Sequence, residues 1–558
     1  MTAVRINHLN VTLSGKKVLQ DICLEFHTDE RILILGPGGC GKSTLLLSIM
    51  GIIQRMENAD VTGEVFLGDR PVTDLKAFET AKILGIVFQS PESQFCTLYP
   101  ENEVAFGLEN LGVDPPKMDE MISNSLCRVR FPKERIHAQI NELSGGEQQR
   151  LACAAAIAQG ARMLLLDEPT SNLDPEGRRQ VVDAADTLSR DGKGLLVVEH
   201  NLENWLPLTE RVIILGRDGI LLADGEPRDV LIRFRDEMTR QGIWRPRPLY
   251  LYDELLRSGC TPARVPLTAK ELCEEQIPKK ELVKAWERAF PASPGLEETP
   301  VRSSGKDSVR ESIVKADNLS EEYQKGSPVF RDISFWINRG DFVALVGKNG
   351  SGKSTLAKTL VGLHKASKGT IQLFGEDTTG KNAGDIFGGG DVGYVFQNPE
   401  HQFLKVTVWD ELEYSVRGTD TAQAVRRLIR EFGLEGLESS NPFSLSGGQK
   451  RRLSVAVMLC EKRKFLILDE PTYGQDEKTT YALMEKLDQY HRQGTSILMI
   501  THDLDLAAGY ADEAAVLSEG KLAFYGDPKE LWKRPDLVEN SGLELPLAAK
   551  LGLEGEES

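Results

Sequence analysis

At 558 residues, with 40% hydrophobic and 27% charged residues, the chain has a soluble globular composition and a length of about two large domains or three to four average ones. Its net charge of −17 lacks the basic footprint of a nucleic-acid binder. Apolar runs such as Leu195-Leu196-Val197-Val198 fall far short of the ~20 residues that cross a bilayer, and Met1 to Asn10 holds no apolar signal region. Eight cysteines (Cys23, Cys40, Cys96, Cys127, Cys153, Cys260, Cys273 and Cys460) form no CxxC pair, which points to reduced thiols rather than zinc or iron–sulfur centres.

The first informative element is the short apolar strand Ile32-Leu33-Ile34-Leu35. The loop Gly36-Pro37-Gly38-Gly39-Cys40-Gly41-Lys42-Ser43-Thr44 follows it, and a helix is predicted to begin over Leu45 to Met50. Strand, GxxxxGK[ST] loop and helix together form a phosphate-binding unit: glycines let backbone N–H groups converge on phosphate oxygens, and the helix N-terminus adds partial positive charge. Lys42 is expected to reach the outer phosphates and Ser43 to ligate Mg2+. Cys40 reads as a small space-filling residue, or as an oxidation-sensitive thiol if accessible.

Next come Ile86-Val87-Phe88-Gln89 and then Leu143-Ser144-Gly145-Gly146, whose serine and two glycines open a helix and offer a second anion-binding surface. The buried strand Met163-Leu164-Leu165-Leu166 ends in Asp167-Glu168, and His200 lies beyond it. A rigid strand end suits Asp167 to support Mg2+ and Glu168 to orient or deprotonate water.

Between 236 and 310 the chain reads as a connector: Arg245 to Asp307 holds eight prolines, Glu271 to Arg288 reads as one or two short helices, and Val301-Arg302-Ser303-Ser304-Gly305-Lys306 as a flexible linker. Every motif then returns in the same order. The strand Val343-Ala344-Leu345-Val346 leads into Gly347-Lys348-Asn349-Gly350-Ser351-Gly352-Lys353-Ser354-Thr355 and a helix start over Leu356 to Val361. Tyr394-Val395-Phe396-Gln397, Leu445-Ser446-Gly447-Gly448, the strand ending in Asp469-Glu470, and His502 follow. Lys353, Ser354, Asp469 and Glu470 take the roles of their first-copy counterparts. The expected fold is therefore α/β, with two tandem P-loop domains at 1–235 and 311–540, each built on a mainly parallel sheet flanked by helices. Residues 541–558 read as an acidic, disordered tail.

The combined set resembles the ATP-binding cassette (ABC) ATPase family over both repeats. The resemblance implies an antiparallel β subdomain and a helical subdomain in each domain, with ATP and Mg2+ as cofactors. It implies that Gln89 and Gln397 touch Mg2+ and water and that His200 and His502 are switch histidines near the γ-phosphate. It also implies pairing within the chain. One site would combine Lys42, Gln89, Glu168 and His200 with Ser446 and Gly448; the other would combine Lys353, Gln397, Glu470 and His502 with Ser144 and Gly146. Tyr323 matches the adenine-stacking aromatic, whereas the first copy has Leu13, losing a stacking contribution of about 0.5–1.5 kcal/mol. Ser171-Asn172-Leu173-Asp174 fits the family's D-loop better than Tyr473-Gly474-Gln475-Asp476 does.

Phe88-Gln89-Ser90-Pro91-Glu92-Ser93-Gln94-Phe95 and Phe396-Gln397-Asn398-Pro399-Glu400-His401-Gln402-Phe403 resemble the extended glutamine loop of energy-coupling factor importers, where FQNPExQF is usual. That resemblance implies a transmembrane coupling subunit and a small substrate-capturing membrane protein as partners. It implies a peripheral position on the cytoplasmic face, and a vitamin, a vitamin precursor or a transition-metal ion as cargo. The alternatives are an ATPase of another ABC importer class, a tandem ABC protein acting on ribosomes or nucleic acid, and a regulatory scaffold. The net charge disfavours nucleic acid, and the intact Glu168 and Glu470 disfavour the scaffold.

Overall fold

The computed structural model describes all residues except 1, 172, 201, 291–310, 325–326, 417–420, 473 and 554–558, and omits the side chains of 323, 324 and 327. The linker Val301 to Lys306, Asn172, Tyr473, the acidic end Glu554 to Ser558 and the side chain of Tyr323 thus lie outside the described portion. The chain divides into two compact units. One comprises Met1–Tyr250, Ala263–Glu275 and Asp476–Lys478; the other comprises Leu251–Pro262, Gln276–Gln475 and Thr479–Ser558.

In the first unit a six-stranded sheet runs in the order Leu221–Gly225, Arg211–Leu215, Arg31–Leu35, Gly194–Val198, Met163–Asp167, Leu84–Val87. All neighbours are parallel except the first pair. Its central strands are apolar except at Arg31 and Asp167, because both faces of a parallel sheet are covered, one of them here by the antiparallel sheet and the phosphate-loop helix. A second, antiparallel sheet is formed by Lys16–His27, Ala3–Leu13, Ala59–Leu67 and Arg70–Pro71. Ile6, Leu9, Leu19 and Ile22 from this sheet share one core with Ile32, Leu45, Leu46 and Leu165. The phosphate-loop helix Lys42–Ile49 is therefore held between the two sheets. Helices Pro100–Asn110, Pro115–Arg128 and Gly145–Ala158 form a separate helical layer.

The second unit repeats this plan. Its large sheet runs Val392–Val395, Phe465–Asp469, Ser496–Ile500, Phe342–Val346, Glu513–Ser518, Lys521–Gly526, and its antiparallel sheet Ser327–Asn338, Ser312–Gln324, Lys368–Leu373, Glu376–Asp377. The mainly parallel cores and the antiparallel and helical subdomains expected for both copies are all present.

Two local expectations shift. The phosphate-loop helices begin at Lys42 and Lys353, three residues before the apolar runs at Leu45 and Leu356. The loop's last glycines, Gly41 (φ 102°) and Gly352 (φ 99°), are the N-caps. Such angles suit glycine alone, and a Cβ on Gly41 would also lie 2.9 Å from the Val18 carbonyl oxygen. Within the expected disordered tail, residues 541–553 are folded. Leu543, Leu547 and Leu553 are buried, and a short helix spans Leu547–Lys550. The acidic end that suggested disorder, 554–558, lies outside the described residues. The connector holds two helices within Glu271 to Arg288's neighbourhood, Ala269–Glu274 and Lys279–Ala289.

Candidate active sites

Both phosphate loops leave the C-terminal end of a central strand, the usual ligand-binding edge of a parallel sheet. In the first unit Lys42 is buried and its Nζ donates to the carbonyls of Gly36 (2.9 Å) and Pro37 (3.0 Å). In the second, Lys353 Nζ donates to Gly347 (2.7 Å) and Lys348 (2.9 Å). Each ammonium is thus fixed beneath its own loop. Gly38 and Gly39, like Asn349 and Gly350, are exposed at the loop tips, while Ser43 is exposed and Thr44, Ser354 and Thr355 range from half-buried to buried. Cys40 is only 2% exposed, and burial pushes its thiol pKa up, so the space-filling reading holds and an oxidation-sensitive thiolate does not.

The acid pairs sit where neighbouring strands end. Glu168 N–H donates to Val198 O (2.9 Å) and Glu470 N–H to Ile500 O (3.0 Å), which ties each glutamate to the next strand. Both glutamates have left-handed backbones, φ 47° and 52°. A non-glycine residue held this way stores about 1–3 kcal/mol of strain, a feature that gathers at functional sites. Glu168 Oε1 lies 3.1 Å from His200 Nε2, and its Oε2 accepts from Gln89 Nε2 at 2.7 Å. Burial works to raise the Glu168 carboxyl, but His200 and Lys42 outweigh it and hold it below the usual range. Glu470 Oε1 lies 3.0 Å from His502 Nδ1. Gln397 is exposed, and its carbonyl accepts from Arg451. The structure therefore gathers Gln89, Glu168 and His200 in the first unit and Glu470 with His502 in the second, where Gln397 is exposed.

The aspartates differ more sharply. Burial pushes Asp167 up to about 6 against the pull of Ser43 and Lys42. Its Oδ1 is buried with no hydrogen-bond partner, an arrangement that fits a divalent cation held between Asp167 and Ser43. Asp469 is also raised by burial, but Ser354 Oγ donates to its Oδ1 (3.1 Å) and Tyr394 Oη to its Oδ2 (3.3 Å). The donor set suits Mg2+ in both units; in the second a tyrosine also occupies one carboxylate oxygen.

The SGG segments cap the helices Gly145–Ala158 and Gly447–Leu459 through capping boxes. Ser144 N–H donates to the Glu147 carboxylate (2.7 Å), whereas Ser446 N–H donates to the neutral Gln449 amide oxygen (3.0 Å). Ser144, Gly145, Ser446 and Gly447 are exposed, Gly146 is buried and Gly448 half-buried.

The extended glutamine loops carry their own internal pins. Gln94 Oε1 accepts from Phe88 N–H (3.0 Å), and the buried Gln402 exchanges hydrogen bonds with Ser454 (2.8 and 2.9 Å). Just beyond, the buried Glu103 accepts from the N–H groups of Cys96 and Thr97, and the buried Glu411 from those of Leu404 and Lys405. These carboxylates fix turns that display apolar side chains to solvent, Leu98 at 69% exposure in the first unit and Leu404 at 71% and Val406 at 72% in the second, with Phe106 and Tyr414 exposed on the helices that follow, Pro100–Asn110 and Val408–Ser415.

Three residues near the acids escaped the sequence reading. Glu199 is buried; its Oε1 accepts from Thr170 N–H (2.8 Å) and Oγ1 (2.5 Å), and its Oε2 from His200 N–H (3.0 Å). It thereby joins the backbone of His200 to the segment following Glu168. The only hint in the sequence was a charge that directly extends the apolar run Leu195-Leu196-Val197-Val198. Arg451 holds the Phe396 carbonyl (2.6 Å) as well as that of Gln397, work done in the first unit by Gln149 Nε2 on Phe88 (3.4 Å) and Gln89 (3.3 Å). Tyr394 looked like an ordinary strand residue.

A family model described as ABC transporter matches residues 19–171 and 330–473. A Bacillus subtilis (strain 168) protein provisionally named HMP/thiamine import ATP-binding protein YkoD is 39% identical over 95% of this chain and 92% of its own length. A Methanosarcina mazei protein provisionally named ABC transporter ATP-binding protein is 32% identical over 97% of this chain and 91% of its own. The archaeal ribosome recycling factor aABCE1, solved with the ribosomal stalk protein aP1, superposes with a TM-score of 0.55 over 94% of this chain and 90% of that one; at 19% identity this likeness concerns the fold.

Proposed function

The chain belongs to the ABC transporter family and is an ATPase, and on that premise we propose that it powers an importer of the energy-coupling factor type. The observation that carries this reading is the pair of extended glutamine loops, each leading into a pinned turn that exposes apolar side chains at equivalent positions. Exposed apolar residues held rigidly beside a nucleotide-sensing loop suit a partner whose helices must follow the nucleotide cycle. Among the described residues no helix is long and apolar enough to cross a membrane. The proposed partners are a transmembrane coupling subunit and a small substrate-capturing membrane protein, with this chain peripheral on the cytoplasmic face. The name of the Bacillus subtilis relative supports a vitamin or vitamin precursor as cargo over a transition-metal ion.

In this reading ATP binding closes the domains at 1–235 and 311–540 on each other, each phosphate loop meeting the other's SGG helix. Lys42 and Lys353, with the glycine-loop N–H groups, bind the phosphates. Ser43 with Asp167, and Ser354 with Asp469, would hold Mg2+, joined by Gln89 and Gln397; the ion would supply charge neutralisation at the phosphates. Glu168 and Glu470 orient the attacking water and accept its proton, while His200 and His502 hold the glutamates in place. Hydrolysis reopens the domains. A ligand can shift such an equilibrium only by binding one state better, and two ATP molecules shared between the halves provide that difference.

The test is affinity purification of the full chain from detergent-solubilised membranes of its own cells, followed by ATPase assay of the recovered complex. Recovery of a polytopic membrane protein together with a small hydrophobic one, and ATPase activity responding to a vitamin precursor, is expected. Recovery of ribosomal proteins alone would overturn the importer reading.

A further inference from the structure

The antiparallel sheet of the first unit carries a cluster that nucleotide chemistry does not use. His8, on Ala3–Leu13, and Asp21 and Cys23, on the adjacent Lys16–His27, converge at a shift in strand register between Ile6 and Leu9. His8 Nδ1 lies 2.7 Å from Asp21 Oδ1 and 3.6 Å from Cys23 Sγ, and the three ligand atoms all fall within 4.8 Å of one another. All three residues are exposed.

The second unit supplies an internal control. It makes the same irregularity between Ala316 and Leu319, with Asn318, Asp332 and Ser334 at the corresponding positions. His8 (φ 50°) and Asn318 (φ 50°) share one backbone conformation, as do Asp21 and Asp332 (both φ 51°). Cys23 Sγ accepts from His8 N–H at 3.3 Å, and Ser334 Oγ accepts from Asn318 N–H at 2.9 Å. Asp21 N–H donates to Asn10 Oδ1 and Asp332 N–H to Ser320 Oγ, both at 3.0 Å. The bulge thus forms without imidazole or thiol. Those groups are additional to what the fold requires, and they are the nitrogen and sulfur ligands that bind borderline-soft cations.

We propose that His8, Asp21 and Cys23 form a surface site for a Zn2+-class divalent cation, with solvent completing the coordination. Tetrahedral zinc bonds of about 2.0–2.3 Å place ligand atoms about 3.3–3.6 Å apart, which the histidine–cysteine separation already meets. The His8–Asp21 pair must open by roughly half an ångström, its hydrogen bond replaced by two metal bonds. Cys23 binds as the thiolate and releases its proton to solvent; His8 binds through Nδ1, carrying its proton on Nε2. The mixed N, O and S set selects Zn2+ or Co2+ over Mg2+, which keeps this site separate from the ATP sites.

The test uses the full chain, fully reduced and free of nucleotide, titrated with Co2+ and then Zn2+. One equivalent of Co2+ is expected to produce a thiolate-to-cobalt charge-transfer band, displaced by Zn2+, with micromolar or tighter affinity. His8→Asn combined with Cys23→Ser installs the second unit's residues, so the bulge should persist; the band should vanish while the thermal transition and ATPase rate stay unchanged. In the wild type, Zn2+ should slow alkylation of Cys23 by about tenfold, as mapped by mass spectrometry, and leave the exposed Cys96 unaffected. A band that survives in the double variant, the lack of any thiolate band in the wild type, or unprotected Cys23 would each overturn the proposal.

Discussion

The two repeats share a skeleton but satisfy their buried polar groups differently. In the first unit Asp167 keeps an unpartnered oxygen, Glu168 is held by both Gln89 and His200, and Glu199 ties His200 to Thr170. In the second, Tyr394 takes up an oxygen of Asp469, Arg451 replaces Gln149 behind the glutamine loop, and Thr501 stands where Glu199 does. Even the SGG caps differ, a carboxylate at Glu147 against an amide at Gln449. A duplicated motif therefore fixes where the reacting groups stand, while their strand neighbours set how tightly they are held and how readily they accept a cation.

The largest effect expected is loss of hydrolysis. Glu168→Gln together with Glu470→Gln should lower steady-state turnover by more than about a hundredfold and trap ATP, and the single variants should divide the rate between the sites. Undiminished turnover in the double variant would remove both glutamates from the chemistry. Next comes stability. Tyr394→Phe leaves a buried oxygen of Asp469 without its donor, reproducing the state of Asp167, and should cost about 1–3 kcal/mol in denaturant unfolding. An unchanged midpoint would mean that water satisfies Asp469 equally well.

The third test is pH. With its pKa at about 6 against an ordinary 3.8, Asp167 binds its proton more tightly folded than unfolded. Its buried charge therefore costs stability above pH 6, and that cost is relieved as pH falls from 6 towards 4. Protons should compete with Mg2+ over the same range. In Glu470→Gln, which isolates the first site, half-saturating Mg2+ should rise about tenfold between pH 7 and pH 5. The smallest effect concerns the base. Leu13→Tyr should tighten ATP at the first site by the stacking contribution of about 0.5–1.5 kcal/mol, at most about tenfold, in equilibrium titration with Glu168→Gln present. No gain would place the adenine away from Leu13.

Much of this was legible in the sequence because phosphate loops and strand-end acids are local: spacing along the chain sets their geometry. Strand, loop and helix order gave the α/β units, and the paired GxxxxGK[ST] loops located Lys42 and Lys353. Glu199, Tyr394 and Arg451 were not legible, because each acts across strands or helices distant in the chain. Neither was the helix start at Lys42, which depends on the backbone angle of Gly41 rather than on apolar periodicity. The folding of 541–553 was not legible either, because Leu543, Leu547 and Leu553 show their role only against a folded surface.

The left-handed backbone at Glu168 and Glu470 sets selection for robustness against selection for turnover. Glycine or asparagine would sit there more comfortably, so a redesign scored on melting temperature alone would replace both glutamates and, on the proposed mechanism, yield a sturdier protein that no longer cycles. Both copies keep the strained glutamate, as the proposed role of Glu168 and Glu470 in turnover requires.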